Sequence, residues 1–277
     1  MTFSYGLGLL SAILWLSGAL AVLAKRRSLG VYLTLAGTLV AGFLIAFLWV
    51  KLARPPLRSM GETRLWYGFL LALSGLGAYR RWAYGWLLFF VSLVAGVFAV
   101  INALRPELQS MALPPALNSV FFIPHVVMYM LSYSLLAAAT IAAIYKLRRQ
   151  GQEGIIALKT LKAPKDEVKE KAAKAKELET FIHHSVRAGL GLLTLGLISG
   201  AVWAKLAWGH YWSWDPKETW AFVTVTAYLV HLHLAANRRT PLPTLTLLTL
   251  PLGLLFLMIT WLGVSYLPTA PASVHVY

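Results

Sequence analysis

The feature that most constrains this chain is a series of apolar runs, each close in length to a membrane-crossing helix. A helix needs about 20 consecutive apolar residues to cross the hydrocarbon core of a bilayer. Such runs recur along the whole 277-residue sequence. Hydrophobic residues make up 58% of the chain and charged residues only 13%, which is about half the charged share of a soluble domain. The sequence therefore predicts an all-α integral membrane protein.

Eight runs are counted as transmembrane helices. The third is the shortest, and the ends of all eight are defined only to within a few residues. They cover residues 5–24, 29–50, 65–79, 84–103, 121–146, 184–206, 217–236 and 243–264.

The basic residues between the runs predict the orientation of these helices. Lys25, Arg26 and Arg27 follow the first run and no Lys or Arg precedes it, the reverse of a secretory signal. We therefore expect a retained first helix and, with eight helices, two extracytoplasmic termini in the cell (inner or plasma) membrane. Of the 25 Lys and Arg residues this arrangement leaves 18 on the cytoplasmic side, as the positive-inside rule requires. The other seven are Lys51, Arg54, Arg58, Arg64, Arg105, Lys205 and Lys217.

The same pattern explains the net charge of +15 without nucleic-acid binding, because the positive charges act as orientation signals. The chain contains no cysteine and therefore supplies no disulfide and no thiol. We divide it into a four-helix part, residues 1–110, and a second membrane part, residues 111–277. Within the second part, residues 147–183 form a charged cytoplasmic insert, expected to be helical because Glu and Lys recur at helical spacing.

The most informative segment is residues 208–220, which hold four tryptophans and a tyrosine within thirteen positions. An aromatic belt at the membrane interface explains one or two tryptophans at a helix end, but not this density. A flat, apolar, π-rich surface suits a planar aromatic ligand. We therefore take Trp208, Trp212, Trp214 and Trp220 as candidate binding residues.

The end of this segment carries a helix-start pattern, with Asp215 at the N-cap, Pro216 at N1 and Glu218 at N3. These residues form a capping-box signature. Capping is the role expected for Asp215, which is also a candidate catalytic residue.

Three of the seven histidines are candidate ligands. His125 opens the fifth span and His275 follows the eighth, both on the outer side; two imidazoles beside an aromatic surface fit a bis-histidine haem site. His233 lies 17 residues beyond Pro216 on the same helix, about 26 Å deeper, and defines a second, transmembrane site. His231, two residues away, is either a packing residue or a competing ligand.

The run Trp-Gly-His-Tyr-Trp-Ser-Trp-Asp-Pro-Lys-Glu-Thr-Trp-Ala, residues 208–221, resembles the WWD signature of haem-handling proteins. Its Asp-Pro-Lys-Glu-Thr-Trp-Ala continuation resembles the CcsA (ResC) family of system II cytochrome c biogenesis. The resemblance covers mainly residues 121–146 and 184–277, whereas the first four spans match only in hydropathy. His275 stands in His-Val-Tyr, where the family more often has His-Ser-Tyr.

The resemblance implies a function and a set of partners. Haem b enters from the cytoplasmic side, crosses the membrane and is joined through thioethers to the Cys-x-x-Cys-His motif of an apocytochrome c. In this scheme His125 and His275 are the external iron ligands, and His233 pairs with a histidine of a CcsB (ResB)-type partner. A thioredoxin-like thiol reductant is a further implied partner. Basic residues could pair with the haem propionates; the candidates are Lys205, Lys217, Arg54, Arg58 and Arg64.

Two other functions fit parts of the sequence. A CcmC-type haem chaperone shares the tryptophan signature but makes no covalent bond, usually has six spans and lacks the Asp-Pro-Lys-Glu continuation. A transporter for a quinone or another planar ligand is the second alternative, although such proteins tend to show internal repeats that are not clear here.

The predicted orientation is testable by single-cysteine labelling, since the chain has no cysteine of its own. A membrane-impermeant maleimide should label His210→Cys in intact cells and should label Lys169→Cys only after permeabilisation. The opposite pattern would invert the predicted topology.

Overall fold

The computed structural model describes residues 2–57, 59–104, 121–157, 165–236 and 244–269. Every regular element in these ranges is helical, which confirms the predicted fold class. All eight predicted spans are found as helices. They are α1 Thr2–Leu23, α2 Arg27–Leu52, α3 Met60–Trp82, α4 Gly85–Leu104, α5 Phe122–Ala157, α6 Lys165–Trp208, α7 Pro216–Ala236 and α8 Thr244–Met258.

Seven of these helices are long and apolar enough to cross a membrane, and α3 is the exception. With 23 residues it is nevertheless about 34 Å long, well beyond the predicted 65–79. Most of the extra length lies at the start of the helix, which the hydropathy pattern did not show. Ser59 and Glu62 form a capping box, which satisfies backbone N–H groups that would otherwise lack partners.

The chain divides into two compact units. The first comprises residues 1–134 and 195–209, and the second comprises residues 135–194 and 210–277. The sequence-based division between a four-helix part, residues 1–110, and a second membrane part, residues 111–277, stays a prediction.

The first unit is held by small residues packed around Trp15. Its core contains Trp15 with Ala12, Ala41, Ala72, Ala95 and Ala99, and alanines let helix backbones approach closely in a membrane. Buried polar groups link the helices as well. The Trp15 indole Nε1–H donates to Thr38 Oγ1 at 3.2 Å, and Thr34 Oγ1 lies 2.9 Å from Ser92 Oγ.

In the second unit, α8 and the turn that follows it are hydrogen-bonded to both α5 and α7. The Thr140 hydroxyl on α5 donates to the Leu250 carbonyl of α8 at 3.3 Å. Thr224 on α7 is hydrogen-bonded to Thr260, 3.1 Å away, in the π-helical turn Ile259–Gly263 that follows α8. These bonds fix α7, the helix that carries His233, against α8.

Helices α5 and α6 extend beyond their predicted spans into the charged insert. α6 has 44 residues, and its residues 168–177 are all exposed. The predicted charged helix is therefore confirmed over 165–183, whereas residues 158–164 lie outside the described part of the chain. Where the two helices meet, the Lys146 ammonium donates to the Glu179 carboxylate, and both side chains are buried.

This buried pair should contribute to stability in a way that a surface pair does not. Replacing Glu179 by Ala leaves the Lys146 charge buried without its counter-ion, which costs about 3–5 kcal/mol. The thermal unfolding midpoint of the detergent-solubilised protein should fall accordingly. Glu170→Ala, which breaks the 66%-exposed pair with Lys174 on α6, is the matched control and should leave the midpoint unchanged. Equal effects of the two substitutions would contradict this account.

Candidate functional site

The tryptophan-rich segment forms the connection between α6 and α7, and its second half is anchored to the start of α7. The Glu218 backbone N–H donates to Asp215 Oδ1 at 2.8 Å. In return, Asp215 N–H donates to Glu218 Oε2 at 3.3 Å. This reciprocal pair confirms the predicted capping box, with Asp215 buried at 7% exposure.

Glu218 also holds the residues that precede the cap. Its Oε2 accepts from the Ser213 backbone N–H at 2.7 Å and from the Ser213 hydroxyl at 3.2 Å. A single carboxylate oxygen therefore accepts from both residues that flank Trp214. Hydrogen bonds to an ionised acceptor are roughly twice as strong as neutral ones, so the loop enters α7 in one defined conformation.

Trp214 is presented outward by this arrangement. Its side chain is 63% exposed, and its φ is +60°, in the left-handed region that costs an L-residue about 1–2 kcal/mol. Its ring meets Trp212 edge-on at 5.7 Å and Phe222 edge-on at 5.8 Å. A strained backbone holding a large apolar side chain in an exposed position is typical of a binding surface.

Two further tryptophans complete this part of the site. Trp220 packs against Phe256 of α8 at 5.9 Å. The Trp212 indole Nε1–H is buried and finds no hydrogen-bond partner among the described residues. Because a buried donor without an acceptor is costly, this N–H is suited to an acceptor on a ligand.

His125 lies in the first turn of α5 and contacts the C-terminal part of α6. Its Nδ1 is 2.7 Å from the Gly196 carbonyl oxygen. The imidazole packs against Tyr129 at 4.4 Å and Trp203 at 5.8 Å. Trp203, 1% exposed, in turn meets Trp208 edge-on at 4.8 Å.

The two neighbouring histidines of α7 have different environments. His231 is fully buried, with Nδ1 3.0 Å from the Thr246 carbonyl and 2.8 Å from Thr249 Oγ1. His233, in the last turn of α7, is exposed on the helix surface. Of the two alternatives for His231, the geometry favours the packing role and leaves His233 accessible to a ligand or a partner.

The candidate propionate partners also differ from one another. Arg54 is bound through both terminal nitrogens to Glu62, at 3.0 and 2.9 Å, so its charge is already neutralised. Lys205 is exposed and donates to the Gly209 carbonyl at 2.7 Å, at the edge of the tryptophan segment. Lys217 is half-buried. His275 and Arg58 lie outside the described residues.

Sequence reasoning missed the residues that surround His125. Trp203, Tyr129, Gly196 and Gly200 are all in contact with it or with its neighbours. The Gly-x-x-x-Gly spacing at 196 and 200 was the available signal, since it permits close helix packing in membranes.

The geometry assigns Asp215 a structural role that mutation can test. Asp215→Ala should lower the free energy of unfolding by about 1 kcal/mol through loss of the cap. Asp215→Asn keeps an acceptor oxygen at the same position and should stay close to the parent. Thermal unfolding of the two variants side by side distinguishes them, and equal destabilisation by both would exclude capping as the main role.

Comparisons with known proteins place the chain in a family. The family model described as cytochrome C assembly protein matches residues 4–270. A cytochrome c biogenesis protein CcsA of Prochlorococcus marinus (strain MIT 9301) is 32% identical over 272 residues, covering 89% of this chain and 85% of that protein. The protein of the same name from strain MIT 9215 is 40% identical over 169 residues, which are 56% of this chain and 54% of the relative.

The fold also matches that of a solved structure, the cytochrome c haem lyase CcmF. The superposition has a TM-score of 0.67 at 18% identity and covers 98% of this chain but 47% of CcmF. The chain thus corresponds to about half the length of that protein and shares its helical arrangement. The family match over nearly the whole sequence, together with the full-length CcsA relative, shows that the chain belongs to the cytochrome c assembly proteins and, among them, to the CcsA family.

Proposed function

We propose that this protein carries haem across the membrane and attaches it covalently to apocytochrome c, as the subunit of a cytochrome c synthase that works with a CcsB-type partner. The observation that carries the proposal is the aromatic segment around Trp214, exposed and fixed by the Asp215–Glu218 capping box. Family membership supports a role in cytochrome c maturation. In this proposal haem is the cargo and the substrate of the protein.

The residues present fit a haem group. Among the described residues no group of three or more His, Cys, Asp or Glu side chains could hold a metal ion, whereas the His125 imidazole packs against aromatic rings. Porphyrin supplies four ligands to its iron, so one or two imidazoles complete the coordination. The indoles offer flat apolar contact to a macrocycle, and the buried Trp212 N–H offers a donor to a propionate.

At the outer site, His125 and His275 would hold the iron from its two faces. The thiols come from the Cys-x-x-Cys-His motif of the apocytochrome, consistent with a chain that has no cysteine. Each thiol adds across one haem vinyl group, forming a C–S bond and a C–H bond without net oxidation. A thioredoxin-like reductant would keep those thiols reduced beforehand. The histidine of the motif then replaces one of the two protein ligands.

At the transmembrane site, His233 would contribute one axial ligand. It is exposed on α7, so a second ligand must come from outside this surface, and a CcsB-type partner chain is the proposed source. An ionisable group in contact with lipid is costly and marks a functional position. His231, buried and bonded to α8, holds the helix in register instead.

The residues in and beside the tryptophan segment have different proposed roles. Asp215 and Glu218 keep the tryptophans in position, and a catalytic role for the Asp215 carboxylate stays a prediction. Lys205 precedes the tryptophan segment and Lys217 lies within it, so these two are the proposed propionate partners. Neutralising the propionates in a site of low polarity would favour the bound orientation.

The proposal predicts a haem spectrum that depends on the outer histidines. The parent chain, co-expressed and purified with its CcsB-type partner, should show sharp reduced haem bands. The His125→Ala/His275→Ala variant should show bands that are weaker or shifted, because the strong-field ligands are lost.

A matched control uses His184→Ala, which alters a histidine at the charged end of the sixth span and should leave the spectrum unchanged. Bands that persist unaltered in the double variant would assign the haem to His233 or to the partner. If the parent chain is folded and associated with its partner but holds no haem, a transporter of another planar ligand would be favoured. Bound haem that the complex does not attach to an added Cys-x-x-Cys-His peptide would favour a chaperone.

A further inference from the structure

We propose that Gly196 and Gly200 of α6 are positioning residues, which fix the His125 imidazole in the Nδ1–H tautomer and thereby select Nε2 as its iron-binding nitrogen. The part of this inference that concerns iron rests on the proposed function. The part that concerns the tautomer rests on geometry alone.

The hydrogen bond of His125 defines the tautomer. Its Nδ1 lies 2.7 Å from the Gly196 carbonyl oxygen. A carbonyl oxygen only accepts, so Nδ1 must carry the proton and donate it. In the neutral ring the lone pair then belongs to Nε2, and a metal ligand requires that lone pair. Nδ1 of His125 is therefore hydrogen-bonded to α6, and Nε2 carries the lone pair that can bind iron.

This approach of the ring to the α6 backbone is possible only because α6 lacks side chains there. A Cβ at Gly200 would lie 2.5 Å from both Cε1 and Nδ1 of His125. A Cβ at Gly196 would lie 2.4 Å from Cδ1 of Tyr129. Both distances are shorter than any tolerable contact, so alanine at position 200 must displace the imidazole itself, and alanine at position 196 must displace the neighbouring ring.

The rings on either side of His125 limit its remaining freedom. Tyr129 is inclined at 54° to the imidazole and Trp203 at 33°. Tyr129 is in turn stacked on Tyr133, 5.6 Å away. With the ring enclosed by aromatic neighbours and bonded at Nδ1, its rotation is fixed before any ligand arrives. Preorganised ligands lose less entropy on binding.

The hydrogen bond also affects the iron. Donation from Nδ1–H to a carbonyl makes the opposite nitrogen a stronger donor to a metal, and loss of such a partner typically weakens metal binding about 10- to 100-fold. A more basic axial imidazole favours ferric iron and lowers the reduction potential of the haem. The two glycines thus influence the affinity and the reduction potential of the haem through His125, without contacting the haem themselves.

The first arm of the test uses the haem-free complex and measures the tautomer directly. In protein labelled with 15N-histidine, the His125 resonances, identified by their loss in His125→Gln, should show a protonated Nδ1. In Gly200→Ala the Nδ1–H tautomer should lose its dominance. A parent His125 protonated at Nε2 alone would overturn the proposal whatever the protein does with haem.

The second arm uses the haem-loaded complex with its CcsB-type partner. Gly200→Ala should retain about 10- to 100-fold less haem on titration, and the haem that remains should have a higher midpoint potential and a shifted reduced α-band. Gly191→Ala is the matched control on the same helix, because a Cβ there meets nothing within 4 Å. It should match the parent in haem content, potential and spectrum.

The outcomes separate the two proposals. If His125→Gln leaves the haem spectrum intact, His125 is not a ligand and the proposed function of this residue fails, while the tautomer result stands alone. If His125→Gln alters the spectrum but folded Gly200→Ala matches Gly191→Ala in tautomer and potential, the glycines are not positioning residues. If Gly200→Ala fails to fold, two measurements still test the proposal. The 15N spectrum of the parent shows whether Nδ1 of His125 is protonated. The haem midpoint potential of Gly196→Ala, which displaces Tyr129, shows whether the position of the imidazole affects the iron.

Discussion

The absence of water from the bilayer interior constrains every part of this protein. Backbone groups there must find partners within the chain, and helices supply most of these partners themselves. In a connection between helices, side chains of the loop and of the following helix must supply them instead. The segment around Trp214 is such a place: one oxygen of Glu218 accepts from Ser213 and Asp215. These hydrogen bonds hold the aromatic side chains of the segment in a defined arrangement.

The same constraint explains why the histidines differ. In a membrane, an imidazole needs either a partner inside the protein or a ligand. His231 has the first, through the Thr246 carbonyl and Thr249, and it serves packing. His125 is hydrogen-bonded through Nδ1 to the Gly196 carbonyl, and its Nε2 is the proposed iron-binding nitrogen. His233 is exposed on α7, and the partner subunit is the proposed source of its second ligand. Three environments of one residue type thus accompany one structural role, that of His231, and two proposed ligand roles, those of His125 and His233.

The predictable features were those encoded over short distances along the chain. Apolar run length located all eight helices, and the Asp-Pro-Lys-Glu pattern at residues 215–218 located the start of α7. The capping box of Ser59 and Glu62, which lengthens α3, was readable in the same way but lay outside the hydropathy pattern. Features that join distant segments were not predictable. The bond between His125 and Gly196 spans 71 positions; the Gly-x-x-x-Gly spacing at 196 and 200 permits close packing on α6 but does not indicate which helix, or which residue of it, packs there. The burial of His231 and the exposure of His233 depend likewise on the packing of α7 against α8.

The central claim, covalent attachment of haem, is tested most directly by reconstitution. The purified complex of this chain with its CcsB-type partner, loaded with haem, would be mixed with a reduced peptide that carries a Cys-x-x-Cys-His motif. The intact mass of the peptide would then be measured under denaturing conditions. The account predicts a gain of one haem that survives denaturation, and no gain with a peptide whose two cysteines are replaced by serine. A peptide of unchanged mass, produced by a complex that demonstrably holds haem, would contradict it.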